Sequence, residues 1–266
     1  MNPFFFGSSA EPLYGVYHPP REQREPPIAA LLCYPLGIEY MRAHRAFRQL
    51  TTLLTRAGVH VLRFDYFGTG DSAGEGDEVS MARCLDDIEV AFDELTANAG
   101  VRRAGIIGLR LGGSLAAMAA RRLEHLDRLV LWDPIVEGRA YLDELKRFAQ
   151  LEAHGNGDWS RNGEAWPAGT VGVGGFPLTA AMRQSLATID LAALAPPRAS
   201  ITLLTSEERE SDQRLCRRWT DAGAAIECRC VPSENRWVEG DAFGSALIPQ
   251  DIIKAVVETF AQEAHR

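Results

Sequence analysis

The stretch Ala104-Gly-Ile-Ile-Gly-Leu-Arg-Leu-Gly-Gly-Ser-Leu-Ala-Ala-Met-Ala119 constrains the chain more than any other. It opens as a short apolar run, the pattern of a buried strand, and closes as an alanine-rich helix. Between them, Gly108 and Gly112 frame a turn with the G-x-S-x-G spacing of a nucleophile elbow. Glycines suit such a turn, because its backbone is strained and its neighbours need minimal side chains. The residue at the apex is Arg110. A guanidinium stays protonated and cannot attack a carbonyl, so the turn has the shape of an elbow without its nucleophile.

The flanking sequence predicts alternating strands and helices. Leu13–Tyr17 reads as a first strand, and Ile28–Cys33 as a buried one. The latter runs into Tyr34-Pro-Leu-Gly-Ile-Glu-Tyr40; in a sheet that carries a nucleophile elbow, this loop donates a backbone N–H to an oxyanion, with Leu36 the expected donor and Leu111 its partner at the elbow. Glu39, Arg42, His44 and Arg45 then crowd the start of a helix reaching about Ala57. Either they form a solvated, salt-bridged helix start, or Glu39 lies at the mouth of a pocket. Val59–Phe64 is the next strand, and Gly68 and Gly70 allow a tight turn after it, with Asp65 and Asp71 able to bond its amides. Val79, Leu85, Ile88, Ala91, Phe92 and Leu95 then recur at helical spacing within 78–97.

Beyond the elbow, Arg128–Trp132 is a strand ending in Asp133-Pro134, which puts Asp133 at the edge where open α/β sheets hold ligands. From Ile135 to Leu191 two helical stretches, 140–153 and 179–188, flank a glycine-rich middle too long for a simple crossover. This segment is expected to be a cap, with Trp159, Trp166 and Phe176 lining a pocket or packing within it. Ser200–Leu204 and Ile226–Val231 are the last strands, and a final helix starts near Pro249. The expected organisation is an α/β core of residues 1–134 and 192–266, mostly parallel in its sheet, with 135–191 inserted as the cap.

Bulk properties narrow the partners. With 266 residues, 46% of them apolar, the chain can bury a single sizeable core. A net charge of −8 without a long basic run argues against nucleic acid. No apolar run approaches the roughly 18 residues of a membrane span. The start, Met1-Asn-Pro-Phe-Phe-Phe-Gly-Ser, lacks the basic lead of a signal peptide, so a cytoplasmic location is expected. Five scattered cysteines, an odd number, suggest free thiols. No cofactor and no metal is expected.

Three segments carry a resemblance: Tyr34-Pro-Leu-Gly-Ile-Glu39, Leu62-Arg-Phe-Asp-Tyr-Phe-Gly-Thr-Gly-Asp-Ser72 and Trp132-Asp-Pro-Ile-Val-Glu-Gly-Arg139. With the elbow, they resemble the α/β-hydrolase superfamily, in its serine aminopeptidase-like branch, which includes hydrolase-like proteins associated with exosortase and natural-product clusters. The resemblance implies a cleft over the strand ends, an oxyanion loop at Leu36, a capped pocket and Ser/Asp/His hydrolysis. This sequence departs from the last. The apex is Arg110, and the loop 232–245, where the base would follow, contains no histidine; His18, His44, His60, His125, His154 and His265 all lie elsewhere. For the acid, which the resemblance places after the strand Ser200–Leu204, Glu207, Glu208 and Asp212 are available in a polar loop.

Three functions follow. Arg110 and the loop amides could stabilise negative charge on an acyl- or ester-like metabolite in a lyase, cyclase or acyl-transfer step. Alternatively, the protein is catalytically silent and binds a ligand or a protein partner in a biosynthetic or secretion pathway, with Arg110 paired to Glu39 or Asp133. The third is hydrolysis by Ser114, one helical turn past the apex, or by Cys33. A buried arginine needs a carboxylate, and Glu39 and Asp133 are the expected partners.

Overall fold

The computed structural model describes residues 1–153, 166–233, 237 and 248–261. Its centre is an eight-stranded sheet built from β1 (Asn2–Gly7), β2 (Pro12–His18), β3 (Ile28–Cys33), β4 (Val59–Phe64), β5 (Ala104–Leu109), β6 (Leu126–Trp132), β9 (Ser200–Thr205) and β10 (Ile226–Cys230). The spatial order is β1-β2-β4-β3-β5-β6-β9-β10. Only β1 and β2 run antiparallel to their neighbours. From β3 outward to β10 every pairing is parallel, with Leu32 opposite Ile107 and Ile107 opposite Val130.

Parallel strands covered on both faces read as continuous apolar runs, which is why β3, β5 and β6 are legible in the sequence. Every residue of β5 is buried. Six helices accompany the sheet: α1 (Ile38–Arg56), α2 (Met81–Ala99), α3 (Leu111–Ala119), α4 (Gly138–Ala153), α6 (Glu210–Asp221) and α7 (Gln250–Ala261). α1 packs with α7, and α2 packs with α3. α2 begins later than the spacing predicts, because a 3-10 turn, Gly76–Glu78, precedes it and Ser80 caps it by accepting from the Arg83 amide. α3 is buried all round except at Met118, as an alanine-rich helix with no polar face requires.

The chain moves outward from β3 to β4, then returns to place β5 on the other side of β3. The carboxyl ends of β3 and β5 therefore flank the switch in strand order, the point where open α/β sheets leave a crevice. Between β6 and β9 lie α4, a hairpin of β7 (Val171–Val173) and β8 (Phe176–Leu178), and α5 (Ala180–Ala187). Trp166 packs beside Gly172 of that hairpin. Trp159, and most of the loop 232–245, lie outside the described residues.

Two expectations need correction. β1 reads in the sequence only as an apolar patch, yet it pairs along its length with β2, Phe6 facing Leu13. The cysteines are not all free: Cys216 of α6 is joined to Cys228 of β10, with Cα atoms 6.5 Å apart, while Cys33, Cys84 and Cys230 are free thiols. Packing α6 on the sheet edge brings together two residues that no local pattern connects. Among the described residues no helix is long and apolar enough to cross a membrane, and no cluster of His, Cys, Asp and Glu is disposed to hold a metal.

Candidate functional site

Arg110 stands alone between β5 and α3, with φ 52° and ψ −125°. A non-glycine residue at positive φ costs of order 1–3 kcal/mol, so the surroundings must hold it. They do: its N–H donates to Trp132 O at 2.9 Å, and its carbonyl accepts from the Gly113 and Ser114 amides at 3.0 and 3.2 Å. Neighbouring glycines make the turn possible. A Cβ on Gly112 would run into the Tyr34 and Cys33 carbonyls, and one on Gly108 would sit 2.6 Å from the Gly112 carbonyl oxygen.

The Arg110 side chain turns inward and is only 2% exposed. Its Nε donates to Glu39 Oε1 at 2.8 Å, and its Nη2 donates to Glu144 Oε2 at 2.7 Å. The guanidinium lies 5.5 Å from the centre of the Tyr141 ring, whose hydroxyl donates to Glu39 Oε2 at 2.9 Å. Glu39, in the first turn of α1, is fully buried, so both its oxygens are satisfied by this network. Burial pushes the Glu39 carboxyl above its usual range, opposed by the Arg110 charge and the Tyr141 hydroxyl. Burial also works against the Arg110 charge, but Glu39 and Glu144 outweigh it and raise its pKa.

Of the two expected partners, Glu39 is found and Asp133 is not. Asp133 also has positive φ, 44°, and its carboxylate is held by Ser206 rather than by Arg110. One oxygen accepts from the Ser206 amide at 2.6 Å, and the other from the Ser206 hydroxyl. The indole N–H of Trp237 faces that second oxygen at 3.5 Å, the outer limit of a hydrogen bond. Glu144 and Tyr141 take the place expected of Asp133. Both lie on α4, one helical step apart at i and i+3, and nothing in their local sequence distinguishes them from an ordinary amphipathic face. Ser114 is buried and structural: its hydroxyl donates to Ile135 O at 2.8 Å and accepts from Ile135 N at 2.9 Å.

Two hollows adjoin this network, and Tyr141 lines both. The first is an apolar cavity of about 80 Å³ walled by Leu36, Leu111, Leu145, Phe176, Met182 and Leu186. Among the described residues, the Leu36 and Leu111 amides meet no acceptor. The second is an open polar cleft of about 500 Å³, on the Arg110 side, with Glu144, Arg147, Arg209 and Trp237 in its wall.

Asp212, on the first turn of α6, is 5% exposed, and neither of its oxygens has a hydrogen-bond partner among the described residues. Burial, against the opposing pull of Arg209 and with a push from Asp133 and Glu207, raises its carboxyl to about 6. Relative to an unfolded value near about 3.9, its contribution to stability is present at low pH and is lost as pH rises through the folded value, by up to about 3 kcal/mol. Asp212→Asn removes the buried charge. In urea unfolding, the variant is expected to gain on the wild type by roughly 1–3 kcal/mol between about pH 4.5 and pH 7.5. An unchanged difference across that window would contradict this environment for Asp212.

The family described as serine aminopeptidase, S33 (Hydrolase_4), matches residues 40–162. No curated protein matches the chain. Among solved structures, Est1E from Butyrivibrio proteoclasticus with bound ferulic acid aligns with 97% of this chain and 96% of its own, at 14% identity and a TM-score of 0.67. The Pyrococcus furiosus esterase PF2001 aligns over 97% and 88%, at 14% identity and a TM-score of 0.64. Alpha/beta hydrolase domain-containing protein 10 from mouse aligns over 97% and 96%, at 18% identity and a TM-score of 0.56. At these identities the likeness is one of fold. The chain has the α/β-hydrolase fold: a mostly parallel central sheet flanked by helices.

Proposed function

We propose that this protein binds a small acyl-type molecule beneath a cap formed by residues 135–191 and does not hydrolyse it. One observation carries the reading. Arg110 stands at the turn where a hydrolase of this fold would present its nucleophile, and it is buried and neutralised by Glu39 and Glu144. A guanidinium held in this way neither attacks a carbonyl nor accepts a proton. On the same reading, Trp237 lies in the loop where the base would follow. An indole N–H only donates, so it cannot serve as that base.

The apolar cavity supplies the ligand chemistry. Its volume of about 80 Å³ is roughly half that of an apolar cavity that takes up benzene, the scale of the leading carbons of an alkyl chain. Such a protein would act as an accessory or partner in a biosynthetic or secretion pathway. A second reading, an enzyme of lyase, cyclase or acyl-transfer type, has one observation in its favour. Leu36 and Leu111, whose amides are without acceptors among the described residues, line the same cavity and could stabilise an oxyanion.

Hexanol titrated calorimetrically is expected to bind, while p-nitrophenyl hexanoate is turned over no faster than in buffer and a fluorophosphonate leaves the protein unlabelled. Turnover of the ester with stoichiometric labelling of Ser114 would overturn the proposal. Turnover without labelling would favour the second reading.

A further inference from the structure

The polar cleft on the other side of Tyr141 has no part in the reading above. Its floor holds a cation that is incompletely used. Arg110 Nε is committed to the fully buried Glu39, but Nη2 is held by Glu144 through a single hydrogen bond, and Nη1 meets no acceptor among the described residues. Glu144 differs from Glu39 in kind. It comes from α4, and its side chain is 36% exposed. It can rotate into water, whereas Glu39 cannot.

The charges around the cleft are already paired, with one exception. Glu137 is held by Arg214 at 2.9 Å and Glu207 by Arg209 at 2.7 Å. Arg147, one turn beyond Glu144 on α4, has no carboxylate partner among the described residues. If Glu144 swings out, the cleft keeps an arginine fork at its floor and a second arginine at its wall. Pro134, Ile135, Val136 and the Trp237 ring supply an apolar flank.

We propose that this cleft is a binding site for a small monocarboxylate with an apolar body, and that Glu144 occupies the carboxylate position as an internal competitor. The ligand carboxylate takes Nη1 and Nη2 together, while Glu39 keeps Nε. A bidentate arginine–carboxylate pair is stronger and more directional than the single bond it replaces. Glu144 then sets the affinity: the cleft accepts ligand only in the fraction of molecules whose Nη2 is released, and the apparent Kd rises by the inverse of that fraction. Without ligand, Glu144 keeps the buried cation neutralised and ties α4 to the elbow.

The test uses phenylacetate and its neutral isostere phenylacetamide, titrated calorimetrically into the full-length protein. Three proteins are compared: wild type, Glu144→Ala, and the charge-neutral pair Arg110→Gln with Glu39→Gln, whose fold is checked by circular dichroism. Phenylacetate is expected to bind the wild type at least roughly tenfold more tightly than the amide, and Glu144→Ala to tighten it by roughly a further tenfold. In the double variant the preference for the anion disappears. Equal affinity for acid and amide, no binding of phenylacetate to Glu144→Ala, or unchanged affinity on removing Glu144 would each overturn the proposal. Hexanol binding and ester turnover report on the apolar cavity, so either result can fail without the other.

Discussion

Arg110→Ala is expected to lower the free energy of unfolding by about 3–5 kcal/mol, because it leaves a carboxylate buried without its cation. For a chain of this size that is a fall of roughly 6–20 °C in melting temperature. The penalty falls on Glu39, which is fully buried and has Arg110 and Tyr141 as its only hydrogen-bond donors among the described residues. Glu144 loses little, since its side chain reaches water. The backbone strain at φ 52° is the same for alanine as for arginine, so it cancels from the comparison. Adding Glu39→Gln removes the stranded charge and keeps a side chain that can accept from Tyr141. The double variant is therefore expected to recover at least about 1 kcal/mol of the loss. Denaturant unfolding of the four proteins of this cycle measures the coupling directly. A loss under about 1 kcal/mol for Arg110→Ala would show that the pair is solvated and that the elbow is not held by its charge.

This network was half legible in the sequence, for a physical reason. The elbow is local: glycines at fixed spacing, an apolar strand before them and an alanine-rich helix after them define it without reference to anything distant. Glu39 is almost as accessible to reasoning, since it follows the loop that leaves the strand beside the elbow. Glu144 is not, because which face of α4 meets Arg110 depends on how the segment between β6 and β9 docks. Asp133 misleads for the opposite reason. Its place at the end of β6 is right, but its carboxylate is taken by Ser206 at the start of the next loop, a tertiary contact across to the end of β9 that no local pattern announces. The same division runs through the fold. Central strands such as β5 are buried on both faces and read plainly. β1 buries only Phe6 of its six residues, and so looks like a loop with aromatic residues. The Cys216–Cys228 link joins a helix to a strand through tertiary packing, and a cysteine count carries no trace of it.

Gly112→Ala is expected to be more damaging still, with a loss above about 4 kcal/mol and no cooperative unfolding transition at ordinary temperature. Propensity alone argues the reverse, since alanine in a helix is favoured over glycine by about 1 kcal/mol. Steric contact decides the outcome. The new Cβ would overlap the carbonyls of Cys33 and Tyr34, which are backbone at the end of β3 and cannot rotate aside. Either α3 lifts from the sheet or the end of β3 is displaced, and both movements break packing that is fully buried. Gly100→Ala is the control. That glycine has positive φ, 64°, which Gly112 does not, and a Cβ there meets nothing within 4 Å, so only the local conformational cost of about 1–2 kcal/mol applies. Thermal melts of the two variants separate backbone strain from backbone collision. A Gly112→Ala protein as stable as Gly100→Ala would mean that α3 does not start against the end of β3. The same close approach sets Leu36 and Leu111 beside one cavity. Any alanine variant that survives by displacing the Tyr34–Gly37 loop is therefore expected to lose hexanol binding together with its stability.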